Sequence, residues 1–382
     1  MADRRLLMIP GPIELEPDVL TALSEKTRSH VDPTFIEVFG RALGRLREVF
    51  LAPDAQPFVV AGSGTLAMDM AAANLVEPGT RALVVDTGWF SARMAEILAR
   101  WGAEVVRVGA PIGGAPSLDE VAATLARGKF DLVTITHVDT STGVRADVEG
   151  LARLAKAHGA LVVVDGVCAA AAEVLRMQAW DVDVALTASQ KAIGAPPGLA
   201  IVMARPAALA RHRARKAKVP SLYLDFAEWL PIMEAYEARR PHYFATPAVN
   251  LVAALDTSLG LLLAEGMEAR FARHARLAGA FRAAWTAMEL SLLPRPELAA
   301  NTLSAVRYPV GADAKLVAAI AKEGIVVAGG LHPEAKTEYF RVGHMGAISP
   351  SDVVAVVSAI ERAFRAAFGQ ERRGLAAAQA AL

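Results

Sequence analysis

Cysteine is nearly absent from this chain of 382 residues: Cys168 is the only one. A single thiol excludes an intramolecular disulfide framework and a cysteine-rich zinc site, and it fits a reducing compartment. An excess of either charge is missing too, since 40 Lys and Arg balance 40 Asp and Glu and the pI is about 7.1. That balance argues against a nucleic-acid partner, which calls for a basic surplus, and against a disordered charged tail. No uncharged run approaches the roughly 20 residues of a membrane helix, so no membrane partner is expected. The start, Met1 to Arg5, carries two arginines, but only Leu6 to Ile9 follow as an apolar run before Pro10, too short for a secretory signal. The end, Ala380-Ala381-Leu382, is not the Ser-Lys-Leu peroxisomal address. The expectation is a cytoplasmic protein. Its eight histidines, His137 among them, show no metal-ligand spacing, so no metal is expected. Internal repeats and low-complexity linkers are also lacking.

What is present is apolar: 54% hydrophobic against 21% charged residues, enough for one large core or two joined ones. Between about residues 57 and 205, short β-branched runs alternate with helix-period stretches. The expected strands are 58–60, 82–86, 104–108, 132–137, 161–165, 184–188 and 199–203. Their runs are apolar rather than alternating, which predicts an α/β domain whose mostly parallel, seven-stranded sheet is covered on both faces. After Pro247 the texture turns to longer helices, 251–265 and 267–289, with possible strands at 302–308, 325–328 and 340–342. This predicts a smaller C-terminal α+β domain over 248–382, after a large domain over 21–247. A helix over 350–368 is well signalled, with Ser349 as cap, Pro350 in the first turn and Val353, Val356, Val357, Ile360 and Phe364 as one stripe.

Three motifs carry chemistry. Gly62-Ser63-Gly64-Thr65 lies between a strand and a helix, where small residues and free N–H groups suit an anion. The same turn can be plain geometry, and with Ala67 and Asp86 it also fits a dinucleotide-binding turn, which keeps a dehydrogenase open. Asp165 ends an apolar strand, where open sheets place ligands, or it caps the segment after it. Lys191 stands between apolar strands ahead of Gly194-Ala195-Pro196-Pro197-Gly198, a setting that lowers an amine pKa and suits a Schiff-base nucleophile; its plain reading is a solvated surface lysine. Together the three match pyridoxal phosphate, whose phosphate wants a helix N-terminus, whose ring nitrogen wants a carboxylate and whose aldehyde wants a lysine.

The chain resembles the class V aminotransferases of fold type I, most closely the alanine–glyoxylate and serine–pyruvate transaminase family. The resemblance runs from Met8-Ile9-Pro10-Gly11-Pro12 to Arg341-Val342-Gly343 and is strongest over Phe58 to Thr65, Thr136 to Gly143 and Leu186 to Ala192. A dehydrogenase explains only the first of these stretches.

The resemblance implies pyridoxal 5'-phosphate as cofactor, bonded by Lys191, with Asp165 at its ring nitrogen. Ser63, Gly64 and Thr65 correspond to the phosphate cradle, with Gln190 adding a donor. Thr140 matches the hydroxyl to the ring oxygen and Val167 the apolar residue under the ring. Aligned on Gly88 and Arg93, the pattern puts Phe90 on the ring's other face and leaves Trp89 to packing. Arg341 matches the arginine that clamps the substrate carboxylate. The segment 1–20, through Gly11, would line the substrate pocket. Tyr243 and Thr246 match residues that reach a neighbouring subunit's phosphate, implying a homodimer with shared sites. The implied reaction is amino transfer from L-alanine to glyoxylate. Serine as donor, pyruvate as acceptor, a phosphonate-amine transaminase or a class V lyase are the alternatives. Desulfurase chemistry is disfavoured because it needs a mobile-loop cysteine well after the lysine, whereas Cys168 precedes it. Met68 and Met70 read as core.

Overall fold

A computed structural model describes residues 5–382; Met1 to Arg4, part of the start read for targeting and of the segment 1–20, lie outside the described residues. All seven apolar runs form strands: β1 (Gln56–Ala61), β2 (Arg81–Asp86), β3 (Glu104–Gly109), β4 (Leu132–Thr136), β5 (Leu161–Asp165), β6 (Val184–Ala188) and β7 (Leu199–Ala204). They make one sheet in the order β1-β7-β6-β5-β4-β2-β3. Pairs from β6 through to β3 are parallel, with Thr136 opposite Asp165, while β7 runs antiparallel to both β1 and β6. Every residue of β4, β6 and β7 is buried, which is why these strands are mostly apolar, with only threonines among them, instead of alternating. Met68 and Met70 are core residues of the helix that follows β1.

The direction of the strands decides where chemistry can occur. β1, β2, β4, β5 and β6 all point the same way, so the segments leaving them emerge along one edge of the sheet. Those segments are Gly62–Thr65, Thr87–Phe90, His137–Thr142, Gly166–Cys168 and Ser189–Lys191. Residues far apart in sequence thus meet at the carboxyl ends of the strands, where open α/β sheets bind ligands.

Helices α1 (Pro33–Val49), α2 (Gly64–Leu75), α3 (Trp89–Arg100) and α4 (Val249–Glu265) belong to this large unit. The placement of α4 differs from the division expected at 247. Its Val252, Leu255, Leu259 and Leu262 join the large core, whereas the second core starts at Leu277 of α5 (Met267–Ala287). Composition changes at 247 because strands stop, not because the core changes, and packing divides the chain inside α5. The small sheet has the order β8 (Leu303–Arg307), β10 (Tyr339–Gly343), β9 (Ala328–Gly329), antiparallel throughout. Helix α6 (Pro350–Phe368) covers it, capped by Ser349, whose Oγ and N–H both bond Asp352 in a reciprocal box.

One strand expected in the small sheet lies elsewhere. Ile325–Val326 pairs in parallel with Leu6–Leu7, and only Ala328–Gly329 joins β10. The start of the chain therefore straps the small domain: the Met8 side chain sits in its core, and the N–H of Gly343 donates to the Met8 carbonyl at 2.7 Å. Gly343 has to be glycine, since a Cβ there would collide with the Ile9 carbonyl and crowd the Pro10 nitrogen at 2.6 Å, both of them backbone. Gly343→Ala is expected to cost about 1–3 kcal/mol of stability, as overpacking against rigid backbone does. Thermal or urea unfolding against wild type measures it, and an unchanged midpoint would show that the strap yields freely.

Candidate active site

Lys191 leaves β6 through Ser189 and Gln190 and is only 8% exposed. Its Nζ donates to the carbonyl of Pro10, and among the described residues no carboxylate lies within ion-pair distance. Burial holds the amine below its ordinary range; the nearby Arg341 charge lowers it further, against the opposing pull of Cys168 and Asp165. The plain reading of a solvated surface lysine is excluded. The strap supplies the space: Gly11 has φ +94°, and a Cβ on it would lie 2.5 Å from Lys191 Cδ and 2.9 Å from Nζ. Ile13 N–H also donates to the Gln190 carbonyl at 3.2 Å, so residues 10–13 lie against the lysine and the residue before it.

Asp165 closes β5, 3% exposed. Its Oδ1 accepts the Val167 N–H at 2.9 Å, so the helix-cap reading is half right: one oxygen shapes the turn. No cation pairs with it among the described residues, and burial raises its pKa to about 7, with the Asp139 charge pushing the same way and Lys191 and Arg93 opposing. A carboxyl poised there responds strongly to a cationic partner, as a protonated ring nitrogen would be.

The Gly62–Thr65 turn opens α2. Ser63 occupies the N-cap position in extended geometry with no side-chain cap, so the first-turn N–H groups, which a helix cannot satisfy internally, stay available. A Cβ on Gly64 would lie 2.9 Å from Val167 Cγ2, which brings cradle and post-Asp165 turn into contact. Gln190 Oε1 is buried without any hydrogen-bond partner. An anion cradle, a carboxyl, a buried amine and an unpartnered amide therefore share the edge, and the residues fit a ligand bearing phosphate, ring nitrogen and aldehyde. Asp86, which kept a dinucleotide site open, is engaged by Arg107 Nε at 3.0 Å and Ser91 Oγ at 2.7 Å and is not free for a ribose.

Arg341 stands in the middle of β10, 9% exposed. Its Nε donates to the Gly329 carbonyl at 2.9 Å and Nη1 to the Thr140 carbonyl at 3.1 Å, aligning the guanidinium across the two domains. The surface-arginine reading fails. Thr140 is buried beside it. Phe90 N–H is held by Asp139 Oδ2 at 2.9 Å, while Trp89 lines an open cavity of about 470 Å³ with Asp86, Arg107 and His332. Tyr243 is 58% exposed and its ring meets that of His30 at 5.1 Å; neither it nor Thr246 hydrogen-bonds to the cradle of its own chain. A larger cavity, about 580 Å³ between residues 110–118 and Leu293–Leu298, contains none of the expected site residues.

Two residues at the site escaped sequence reasoning. Cys168 is buried between Lys191 and Arg341, with its sulfur near the hydroxyls of Thr140 and Thr302, the latter at 3.9 Å. Burial pushes its thiol up, which keeps it protonated and not nucleophilic. Asp139 accepts the N–H groups of Phe90, Ser91 and Ser141, anchoring the start of α3; Gly88 leaves it room, since a Cβ there would lie 2.7 Å from its Cγ. Its signal was the carboxylate within Thr136 to Gly143. Among the described residues no metal-binding group of His, Cys, Asp and Glu occurs.

Comparison with known proteins gives a consistent result. Residues 21–351 match the family model for aminotransferase class-V. The alanine–glyoxylate aminotransferase 1 of Saccharomyces cerevisiae is 38% identical over 89% of this chain and 91% of its own length. The L-aspartate–glyoxylate aminotransferase of Paracoccus denitrificans is 34% identical over 94% and 91%. The crystal structure of pyridoxamine–pyruvate aminotransferase from Mesorhizobium loti superposes with a TM-score of 0.93 at 29% identity, covering 100% of this chain and 97% of that one.

The buried Asp165 carries a stability signature. With its folded pKa near 7 and an unfolded value near 3.8, the native state binds more protons across that window, so this group lowers stability as pH rises from about 4 to 7. Cofactor-free Asp165→Asn is thus expected to melt above cofactor-free wild type at pH 7, with the gap closing toward pH 4. Thermal midpoints across pH test this, and a gap that widens on acidification would reverse the assignment.

Proposed function

The chain belongs to the class-V aminotransferases, pyridoxal-phosphate enzymes acting on amino and keto acids, and on that premise we propose that its own reaction transfers the amino group of L-alanine to glyoxylate, giving pyruvate and glycine. The observation that carries this choice is charge. Among the described residues Arg341 is the cation whose charge bears on Lys191, enough for a substrate with a single carboxylate. Around them Ile13, Val138, Cys168, Ala169, Ala192 and Met345 make a small apolar wall, suited to a methyl side chain. The named activity of the Saccharomyces cerevisiae relative agrees. Serine is the second reading, favoured by the Thr140 and Thr302 hydroxyls beside Cys168.

The residues take these roles. Bound pyridoxal phosphate supplies an electron sink for the pair left when the substrate Cα–H bond breaks. Lys191 Nζ, its pKa lowered by burial, would bond the cofactor aldehyde at rest and carry the Cα proton when displaced. Asp165 would face the ring nitrogen, whose positive charge favours the carboxylate form, and the α2 N-terminus with Ser63, Gly64, Thr65 and Gln190 would hold the phosphate. Val167 and Phe90 would enclose the ring and Thr140 would bond its oxygen. The free guanidinium edge of Arg341 orients the substrate carboxylate, with Gly11 opposite. Tyr243 and Thr246, turned outward, serve the neighbouring subunit's phosphate in a homodimer.

Purified protein is expected to absorb as a yellow species, lose that band with L-alanine and regain it with glyoxylate. Lys191→Ala should slow both conversions by about a thousandfold or more; wild-type rates in that variant would remove its role. In a panel of donors at fixed glyoxylate, alanine should give the highest kcat/KM, and aspartate or a phosphonate amine ahead of it would overturn the substrate choice. For the dimer, light scattering should give twice the chain mass, and a monomer that keeps its cofactor would take Tyr243 and Thr246 out of the site.

A further inference from the structure

The cradle for the phosphate lacks charge. A phosphate monoester carries about −1.5 to −2 at neutral pH, and a helix N-terminus counters roughly half a unit. Ser63, Gly64, Thr65 and Gln190 are all neutral, and Lys191 Nζ is turned to the Pro10 carbonyl. A phosphate dianion opposed only by neutral donors is incompletely compensated, since charge-assisted hydrogen bonds are the strong ones.

Arg93 is placed to supply the missing cation. It lies one turn into α3, and its guanidinium runs back over the rings of Trp89, at 4.5 Å, and Phe90, at 5.1 Å. Its Nη1 reaches 3.4 Å from Thr65 Oγ1, inside the cradle. That contact is loose and is its one hydrogen bond, so four of the five guanidinium N–H donors remain free. Among the described residues no carboxylate pairs with it, whereas Arg107, on the next strand, is tied to Asp86. The charge also acts on Asp165, drawing its carboxyl toward ionisation. Stacking on aromatics accounts for the arginine's path but not for its end at Thr65.

We propose that Arg93 binds the cofactor's phosphate, bridging the cradle of α2 and the aromatic start of α3, so that one side chain clamps the phosphate and braces the ring-facing Phe90. This rests on the reading of Ser63–Thr65 as the phosphate cradle. Arg93 is a binding residue; it makes no contact with Lys191.

Affinity of the cofactor-stripped dimer for two ligands that differ only in phosphate separates the possibilities. Wild type, Arg93→Gln and Arg93→Lys are titrated by absorbance with pyridoxal phosphate and with pyridoxal, and inorganic phosphate is used as competitor. Arg93→Gln should weaken pyridoxal phosphate about 10- to 100-fold, leave pyridoxal within about twofold, and blunt competition by inorganic phosphate. Arg93→Lys, which keeps the charge and loses the fork, should recover part of the difference. Equal weakening of both ligands would assign Arg93 to packing on Trp89 and Phe90 and overturn the proposal. So would unchanged affinity for both. A wild-type protein with no preference for the phosphorylated ligand would instead sink the cradle reading itself, while a preference that survives intact in Arg93→Gln sinks only the role of Arg93.

Discussion

The structure depends on keeping charged groups out of water without letting them neutralise one another. Asp165, Lys191 and Arg341 are each buried, and no two of them form an ion pair. Lys191 leans on a carbonyl, Arg341 on two carbonyls and Asp165 on one N–H. Backbone dipoles hold these side chains in place but cannot discharge them, so each keeps an affinity that a ligand can use. A direct Lys191–Asp165 bridge would satisfy both charges and leave neither for a ligand.

The fold answers this requirement with converging strand ends. The Thr140 carbonyl and the Val167 N–H leave the carboxyl edge of the large sheet, backed by its ladder, while the Pro10 carbonyl comes from the strap and the Gly329 carbonyl from the small sheet. The small domain adds Arg341 from β10, and the Thr140 carbonyl takes one of its N–H groups. Tyr339, two residues earlier, donates to the Ser141 carbonyl and accepts from the N–H groups of Leu331 and His332. The same 140–141 stretch thus receives both side chains, and β10 of the small domain is registered to the strand ends of the large one.

Much of this was legible in the sequence, and the reasons are local. β5 is an unbroken apolar run that ends on Asp165, and β6, interrupted only by Thr187, stops at Ala188 just ahead of Ser189-Gln190-Lys191, so both their span and the edge position of Asp165 and Lys191 follow from composition. Helix α6 carries its own cap and stripe. Other features depend on partners that sequence does not reveal. The antiparallel insertion of β7 is a matter of pairing, not of content, and Ile325–Val326 looks the same whether it joins β10 or Leu6–Leu7. The end of the large core falls inside α5 because α4 presents its apolar face to α1, which periodicity alone does not specify. Cys168 read as a clue about compartment and lyase chemistry; only the fold places it between Lys191 and Arg341.

The N-terminal strap orders assembly in time. Leu6–Leu7 is synthesised well before its strand partner, Ile325–Val326, with the whole large sheet made between them. Until that partner is made, the strap has no ladder to join, and the Pro10 carbonyl that receives Lys191 is not held in place. The seven-stranded sheet can form earlier, since all its strands lie before residue 205, and N-terminal units fold first during synthesis. A nascent chain therefore carries Lys191 on a finished sheet well before the pocket around it is closed, and the strap, made before that sheet, takes its place after it.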